Sequence, residues 1–389
     1  MGRYWIGDSG TWSDTTHWST SSGGGGGASV PTGVDPVHFD HNSFTLDSQA
    51  VTLVSTQSCY SIDCSDVTHN FSFGTLNRPL TVYENVNIPS GVNVSTIQLT
   101  ISTQLDGMLT CSSSYSFNSV NINKTLFSGH LGTVSLGDTL RCGAFTMTHG
   151  YFYTLGNDMN ISSWDNSLDQ NPKYVYLYGS TINVTGGSWT TYDSPYFTID
   201  AGTSIIKMNY NNGYFYTAKR TYYNLECTAT NVYISGAGIF NDIKGTAGKK
   251  IALASNQTIS SLSGVGTSGN EIYLYSTISS TQRTLTCANN VTVSYWKIRD
   301  NKITGGYTYT AHNSVDVSGN SGWVFDQART VPSTPSINFG TFIPTVVIVD
   351  LSRLKYWNGS AWVAKSLKYW NGSAWTTKVL KGYNGSTWK

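Results

Sequence analysis

The chain has 389 residues and a nearly balanced charge, with 23 Lys and Arg against 22 Asp and Glu. A formal net charge of +1 excludes the broad basic surface of most nucleic-acid-binding proteins. The hydrophobic fraction of 39% is too high for an intrinsically disordered chain, and no apolar run approaches the roughly 18 residues that span a bilayer. We therefore expect a folded protein with no nucleic-acid partner and no membrane insertion.

The amino-terminal segment, residues 1–44, carries three regularly spaced tryptophans, Trp5, Trp12 and Trp18. We interpret this segment as an aromatic cap over the domain that follows, because a stack of β-coils needs its open end covered. A ligand platform is the alternative. His38, Asp40 and His41 also crowd this segment, but a metal site wants more ligands nearby, so we expect a polar cap strand and no metal.

Residues 45–325 show hydrophobic alternation of period two. Segments such as LTVYENVNI (80–88) and VNVSTIQLTI (92–101) alternate apolar residues with Ser, Thr or Asn, and no amphipathic helix of three turns is visible. The absence of crossover helices argues against a doubly wound or α/β-barrel enzyme fold. The strands follow one another without Asn-Gly hairpin turns, which favours a right-handed parallel β-helix over a sandwich or propeller. Its length corresponds to roughly 11 to 14 coils of roughly 20 to 25 residues.

The six cysteines give no metal-binding spacing. Cys111, Cys142 and Cys287 end the similar stretches TLTC, TLRC and TLTC, which indicates a small apolar residue at a recurring inward position. We expect buried free thiols, and Cys59 and Cys64 are the pair to test for a disulfide. We expect no cofactor.

The irregular stretch at 156–173 holds the best candidates for catalytic acids. A polysaccharide-cleaving tailspike would need two carboxylates flanking a sugar, together with an aromatic ring for stacking. The candidates are Asp158, Asp165 and Asp169 in this stretch, with Trp164 as the stacking ring, and Asp193 and Asp200 nearby. Aspartate in loops is more often a turn former, so we expect no enzymatic activity.

Tyrosines cluster on alternate positions in three segments, 150–156, 174–179 and 209–224. Alternate residues of a strand share a face, so one face of the β-helix is expected to carry a tyrosine stripe. Outer-face stacking, a protomer interface and a glycan platform all remain open as its role.

Residues 326–353 contain Pro332, Pro335 and Pro344, and we interpret them as a linker and strand. Residues 354–389 then form three repeats of period 13, which begin LKYWNGSAW, LKYWNGSAW and LKGYNGSTW. We predict three hairpins with two-residue Asn-Gly turns of type I′. That register places Lys355 opposite Trp362, Lys368 opposite Trp375 and Lys381 opposite Trp388 as cation–π pairs.

The aromatic side chains of the repeats are the predicted binding surface, for carbohydrate or for protein. They are Trp357, Trp362, Trp370, Trp375, Tyr383 and Trp388. Hairpins of this size bury little surface alone, and three chains could bury them together. We therefore expect a homotrimer.

Two parts of the chain resemble a known group of proteins. The opening RYWIGDSGTWSDTTHWSTSSGGGGGASVPTGVD (3–35) with VHFD (37–40) resembles the entry module of phage virion and bacterial surface β-helix proteins, and residues 269–325 resemble their final coils. The WNGSAW repeats resemble the ends of phage fibre and minor tail proteins. The resemblance implies a structural virion protein, a fibre, spike or decoration subunit, contacting other virion proteins and a host surface glycan. A secreted or surface-located bacterial adhesin and a polysaccharide-degrading tailspike are the alternatives.

Overall fold

A computed structural model describes residues 1–102, 105–124, 126–127, 130–166, 168–326, 354–366 and 368–377. The chain divides into two compact units, Met1–Val331 and Pro332–Lys389. The predicted linker 326–353 lies outside the described residues except for its first one. In the described parts of the chain, no helix has the length and apolar character needed to cross a membrane.

The described residues of the first unit form strands, most of them short, and one 3₁₀ turn at Thr15–His17. In chain order the strands are β1 (Arg3–Trp5), β2 (Gly10–Thr11), β3 (Trp18–Ser19), β4 (Val37–His38), β5 (Gln49–Thr52), β6 (Gln57–Cys59), β7 (Ile62–Asp63), β8 (Phe71–Ser72), β9 (Arg78–Val82), β10 (Val86–Ile88), β11 (Ile97–Ser102), β12 (Gly107–Cys111), β13 (Phe117–Asn123), β14 (Leu126–Phe127), β15 (His130–Leu131), β16 (Thr133–Leu136), β17 (Leu140–Tyr153), β18 (Met159–Asp165), β19 (Lys173–Tyr176) and β20 (Thr181–Val184).

The remaining strands of this unit are β21 (Trp189–Thr190), β22 (Phe197–Asp200), β23 (Ile205–Met208), β24 (Gly213–Tyr216), β25 (Thr221–Cys227), β26 (Asn231–Ser235), β27 (Ile239–Gly245), β28 (Lys250–Leu253), β29 (Gln257–Ser263), β30 (Ile272–Ser276), β31 (Arg283–Cys287), β32 (Val291–Ser294), β33 (Trp296–Arg299), β34 (Asn301–Thr304), β35 (Tyr309–His312), β36 (Val315–Ser318) and β37 (Val324–Asp326). The second unit contains β38 (Leu354–Trp357), β39 (Trp362–Lys365), β40 (Lys368–Trp370) and β41 (Trp375–Thr377).

The first unit is a parallel β-helix of about 13 turns, which confirms the predicted fold class. Most strands pair in parallel with the strand one turn later, so the strands form stacks, whereas β1 with β3 and β14 with β15 pair antiparallel. The first stack ends β16–β17–β19–β22, the second runs from β6 to β34, and the third continues from β18 through β21, β24 and β26 to β36. Cys59 pairs with Val82 and Val82 with Ile101, so these two turns take 23 and 19 residues.

The core of the β-helix follows from strand alternation. Inward residues of successive turns lie above one another, as in the run of Cys142, Ile161, Val184, Met208 and Cys227. All of these side chains are buried. The six cysteines are buried and free, as predicted, and Cys59 and Cys64 form no bridge. They act as small apolar residues in the interior.

The amino-terminal tryptophans lie inside the same core. Trp5, Trp12 and Trp18 are each 0% exposed. Trp18 meets the other two rings edge-on, at centroid distances of 5.1 and 4.9 Å, and its indole N–H donates to the Trp12 carbonyl at 2.6 Å. Full burial leaves no ring face for a ligand, so the platform alternative is withdrawn. The role of this cluster as a cap stays a prediction.

Candidate functional site

The second unit holds the residues that we predicted to bind, and the structure describes two of its hairpins. In the first, formed by β38 and β39, Trp357 pairs with Trp362. In the second, formed by β40 and β41, Trp370 pairs with Trp375. The loop between each pair of tryptophans therefore has four residues, Asn-Gly-Ser-Ala.

The predicted register of the hairpins is wrong. Lys355 pairs with Ala364 instead of Trp362, and Lys368 pairs with Thr377. A four-residue loop moves each lysine's partner by two positions, so lysine and tryptophan are no longer directly opposite each other in these two hairpins. The third, with Lys381 and Trp388, lies outside the described residues, as does Tyr383.

The loop closes through the asparagine side chain and does not adopt the predicted type I′ turn. The Asn358 carboxamide oxygen accepts hydrogen bonds from the backbone N–H groups of Ser360, at 3.0 Å, and Ala361, at 2.8 Å. Asn371 accepts the same pair of bonds from Ser373 and Ala374. A type I′ turn needs positive φ at both central residues, and here only the glycine, at φ 99°, has it. The asparagine side chain instead forms an Asx turn, in which its carboxamide oxygen takes the place of a backbone acceptor.

The tryptophan rings of these hairpins are exposed. Trp357 is 52%, Trp370 53% and Trp375 65% exposed, and Tyr369 is 45% exposed. The rings of Trp370 and Trp375 pack against each other at a centroid distance of 5.7 Å and a tilt of 60°. Each hairpin therefore presents indole surface to solvent. Tyr369 was not among the predicted binding residues, although its place beside Trp370 in the repeat could have signalled it.

Positive charge is concentrated in this unit, although the net charge of the whole chain is close to zero. Residues 354–389 contain six lysines and no Asp or Glu, so this segment carries +6 of formal charge in a chain of +1. Lys368 is exposed beside the second hairpin's tryptophans. This segment is therefore strongly basic within a nearly neutral chain.

The candidate catalytic acids of the β-helix have structural partners. The Asp158 carboxylate accepts from the backbone N–H of Thr181 at 2.7 Å, and that of Asp200 accepts from Gly202 at 3.0 Å. The other three pair with side chains: Asp165 accepts from the Tyr192 hydroxyl, Asp169 forms an ion pair with Lys173, and Asp193 forms one with Lys219.

Trp164, the predicted sugar-stacking ring, is 1% exposed. It lies in the interior between Phe145 and Trp189, with centroid distances of 4.7 and 4.4 Å. The stacking prediction is therefore wrong, because Trp164 takes an inward position of its strand and not a loop position.

The amino-terminal histidines serve separate local contacts. His38 stacks on Tyr4 at 4.7 Å, and His41 lies 2.6 Å from Asp66, whose hydrogen bond raises the pKa of His41. The Asp40 carboxylate accepts from the backbone N–H of Asn42. Across the described ranges of the chain, no group of three His, Cys, Asp or Glu residues is placed to hold a metal ion.

The predicted tyrosine stripe is divided between two stacks. On the first stack, Tyr151 lies over Tyr174 at 4.6 Å and Tyr153 over Tyr176 at 4.8 Å. The segment 209–224 belongs elsewhere, because Tyr214 stacks on Tyr233 at 4.7 Å in the third stack. Burial and the neighbouring phenols raise the pKa of Tyr151. The Tyr151 phenol therefore stays neutral at physiological pH.

Comparison with protein-family models, with curated proteins and with solved structures finds no match to this chain.

Proposed function

We propose that this chain is a non-enzymatic structural protein of a phage virion, a fibre, spike or decoration subunit, that attaches through its tryptophan hairpins. The observation that carries the proposal is the contrast in tryptophan burial. Six of the seven tryptophans in the first unit are at most 1% exposed, whereas those described in the hairpins at 357, 370 and 375 are more than half exposed. Exposed indoles in a repeated, hydrogen-bonded turn favour a binding surface.

The partner that fits this surface is an anionic polymer or an acidic protein face. Tryptophan supplies flat apolar surface, and the six lysines of residues 354–389 supply charge without any nearby carboxylate. A host surface glycan and a virion neighbour remain the two candidates. Because the hairpins repeat the same unit, a ligand with repeating acidic groups would engage them together and gain avidity.

The placement in a virion rests on the resemblance of residues 3–40 and of the WNGSAW repeats to phage and bacterial surface proteins. It implies an extracellular particle as the location, with a secreted or surface adhesin as the alternative. The non-enzymatic role is supported by the structural contacts of the candidate acids: Asp158 accepts a backbone hydrogen bond, Asp165 one from a tyrosine hydroxyl, and Asp169 forms an ion pair.

A homotrimer belongs to the same proposal. Three chains of 42.4 kDa that place their hairpins around one axis would bury part of the exposed indole surface. Light scattering at micromolar concentration should then give three times the chain mass. A monomeric mass would refute the homotrimer but would not contradict the proposed attachment role.

Attachment is tested with the full chain carrying both Trp370→Ala and Trp375→Ala. Fluorescently labelled protein is sedimented with host cells and, separately, with virions lacking the protein. We expect the double variant to bind at least tenfold more weakly than wild type to one of the two, and wild-type binding to weaken as salt rises. Tyr178→Ala, at an aromatic residue of the β-helix that is 43% exposed, is the control and should bind as wild type. Wild-type binding by the double variant would refute the proposal.

A further inference from the structure

The side of the β-helix has a step where the first stack of strands ends. β22 pairs with β19 on one edge, and no strand within the described ranges pairs with its other edge. The next turn runs directly from β24 to β25 through Thr217–Arg220, where Ala218 and Lys219 both have left-handed backbones, at φ 48° and 57°. Arg220 closes this turn by donating its backbone N–H to the Thr217 carbonyl at 2.9 Å. The tight turn replaces the strand that would have covered β22.

Only the first half of β22 is covered by this turn. The Arg220 guanidinium lies 5.8 Å above the Phe197 ring and donates a hydrogen bond to the Ser194 carbonyl. Lys219 is held beside it in an ion pair with Asp193. The second half of β22 and the residues after it instead form the floor of an open groove.

This groove has a volume of about 390 Å³, within the range of about 300–1,000 Å³ that is typical of ligand sites. It crosses the turns that begin with β22, β25, β27 and β29, a distance of about 14 Å at the spacing of adjacent strands. Its lining combines apolar and polar side chains. The residues are Ile199, Asp200, Ala201, Gly202, Thr221, Tyr222, Tyr223, Ile239, Phe240, Asn241 and Ser260.

One wall of the groove is a column of outward side chains from β25, β27 and β29. Each of these strands bends at the same position, where two successive residues both face outward. In β25 this bend places Tyr223 between the buried Tyr222 and the outward Asn224. Because Tyr222 pairs with Phe240 and Phe240 with Ile259, the residues that follow them, Tyr223, Asn241 and Ser260, lie in equivalent positions one turn apart. A phenol, a carboxamide and a hydroxyl therefore follow one another along the groove.

We propose that this groove is a second binding site, specific for a neutral linear polysaccharide. A sugar ring has an apolar face and a hydroxylated edge, which match Ile239, 45% exposed, and the polar column of Tyr223, Asn241 and Ser260. Asp200 is the one charged residue of the lining, and no lysine or arginine lines the groove. An acidic ligand would meet uncompensated repulsion there. A single carboxylate also provides no acid pair, so the site binds without cleaving.

The test is affinity electrophoresis of the full chain through gels that contain neutral polysaccharides, dextran, β-glucan, mannan and galactan, or acidic alginate. We expect at least one neutral polymer to retard wild type, with no retardation by alginate in high salt. Tyr223→Ala should weaken the retardation at least tenfold. Ser260→Arg should do the same by filling the groove, without touching the core.

Two controls separate this site from other surfaces. Tyr214→Ala removes a tyrosine of the third stack that is 39% exposed and should be retarded as wild type. The double variant Trp370→Ala, Trp375→Ala should also be retarded as wild type, so the groove and the hairpins fail independently. Absence of retardation by every neutral polymer, equal loss in Tyr214→Ala, or loss only in the hairpin variant would each overturn the assignment.

Discussion

The β-helix and the hairpins use the same residue for opposite purposes. Trp164 and Trp189 stack inside the helix with parallel faces, 4.4 Å apart, and contact no solvent. Trp370 and Trp375 also form a cross-strand pair, at 5.7 Å, but more than half of each ring is exposed. A parallel stack has a core on one side of each strand, whereas an isolated two-stranded hairpin has none. Tryptophan content alone therefore does not distinguish a core from a binding surface.

The largest expected effect is on the stability of the β-helix. Trp164→Ala should lower its free energy of unfolding by about 3–5 kcal/mol, because the change leaves a cavity between Phe145 and Trp189. Trp370→Ala, the matched substitution in a hairpin, should leave the unfolding of the first unit unchanged. Denaturant unfolding followed by far-ultraviolet circular dichroism measures both. Equal losses in the two variants would mean that the units do not unfold separately.

Acid should act on the β-helix and spare the hairpins, since residues 354–389 contain no carboxylate side chain. Burial alone would raise the pKa of Glu271, but hydrogen bonds from the backbone N–H groups of Gly269 and Glu271 and the ion pair with Lys297, at 3.2 Å, lower it to about 2. A lowered carboxyl pKa stabilises the fold above the unfolded value of 4.5, and this stability is lost as pH falls from 4.5 to 2.

Glu271→Gln should therefore cost about 2 kcal/mol at pH 7 and almost nothing at pH 2. Thermal unfolding of the variant and of wild type across this pH range gives the difference directly. Asp316→Asn, on an exposed position of β36, serves as the control and should change little at either pH. A pH-independent cost at Glu271 would assign its effect to packing rather than charge.

Substitutions at two glycines, Gly245 in the β-helix and Gly372 in a hairpin, should have smaller effects that again differ between the two units. A Cβ on Gly245 would lie 2.7 Å from Ile272, so Gly245→Ala should destabilise the β-helix by about 1 kcal/mol through overpacking. Gly372 has open space around it but a φ of 99°, so Gly372→Ala should strain only its hairpin. Unfolding of the first unit should respond to the first change and not to the second.

The smallest effect is expected at the hairpin turn. Asn371→Ala removes the acceptor for the Ser373 and Ala374 N–H groups and should weaken this hairpin by up to about 1 kcal/mol. Asn371→Asp retains the acceptor and is the matched control. Nuclear magnetic resonance cross-peaks between Trp370 and Trp375 would report the closed hairpin. Unchanged cross-peaks in the alanine variant would show that the Asx contact does not hold the turn.

The architecture was predictable because its signal is repeated. Period-two alternation recurs in turn after turn. Cys142 and Cys227 occupy the same inward position in this pattern as a valine would. The hairpin register was not predictable from Asn-Gly alone, because the side chain of Asn371 competes with the backbone for control of the turn. The burial of Trp164 was not predictable either, because the sequence does not show that the first half of the irregular stretch 156–173 forms strand β18.

The groove could not be predicted for a different reason. It exists because Ala218 and Lys219 adopt left-handed conformations and shorten one turn, and neither residue type favours that backbone. Sequence patterns report which residues face inward in each turn. They do not report where a stack of strands stops, since that depends on how the next turn is routed.

The stacking direction of the strands also determines how the β-helix would respond to mechanical force. Its strands lie side by side along the axis, so tension on the chain beyond Asp326 would act first on the short ladder of β35 with β37, only three residue pairs long. Hydrogen bonds would then break a few at a time, as in peeling, instead of many at once, as in shear. The turn farthest from the buried tryptophans of the amino terminus is therefore the first to yield.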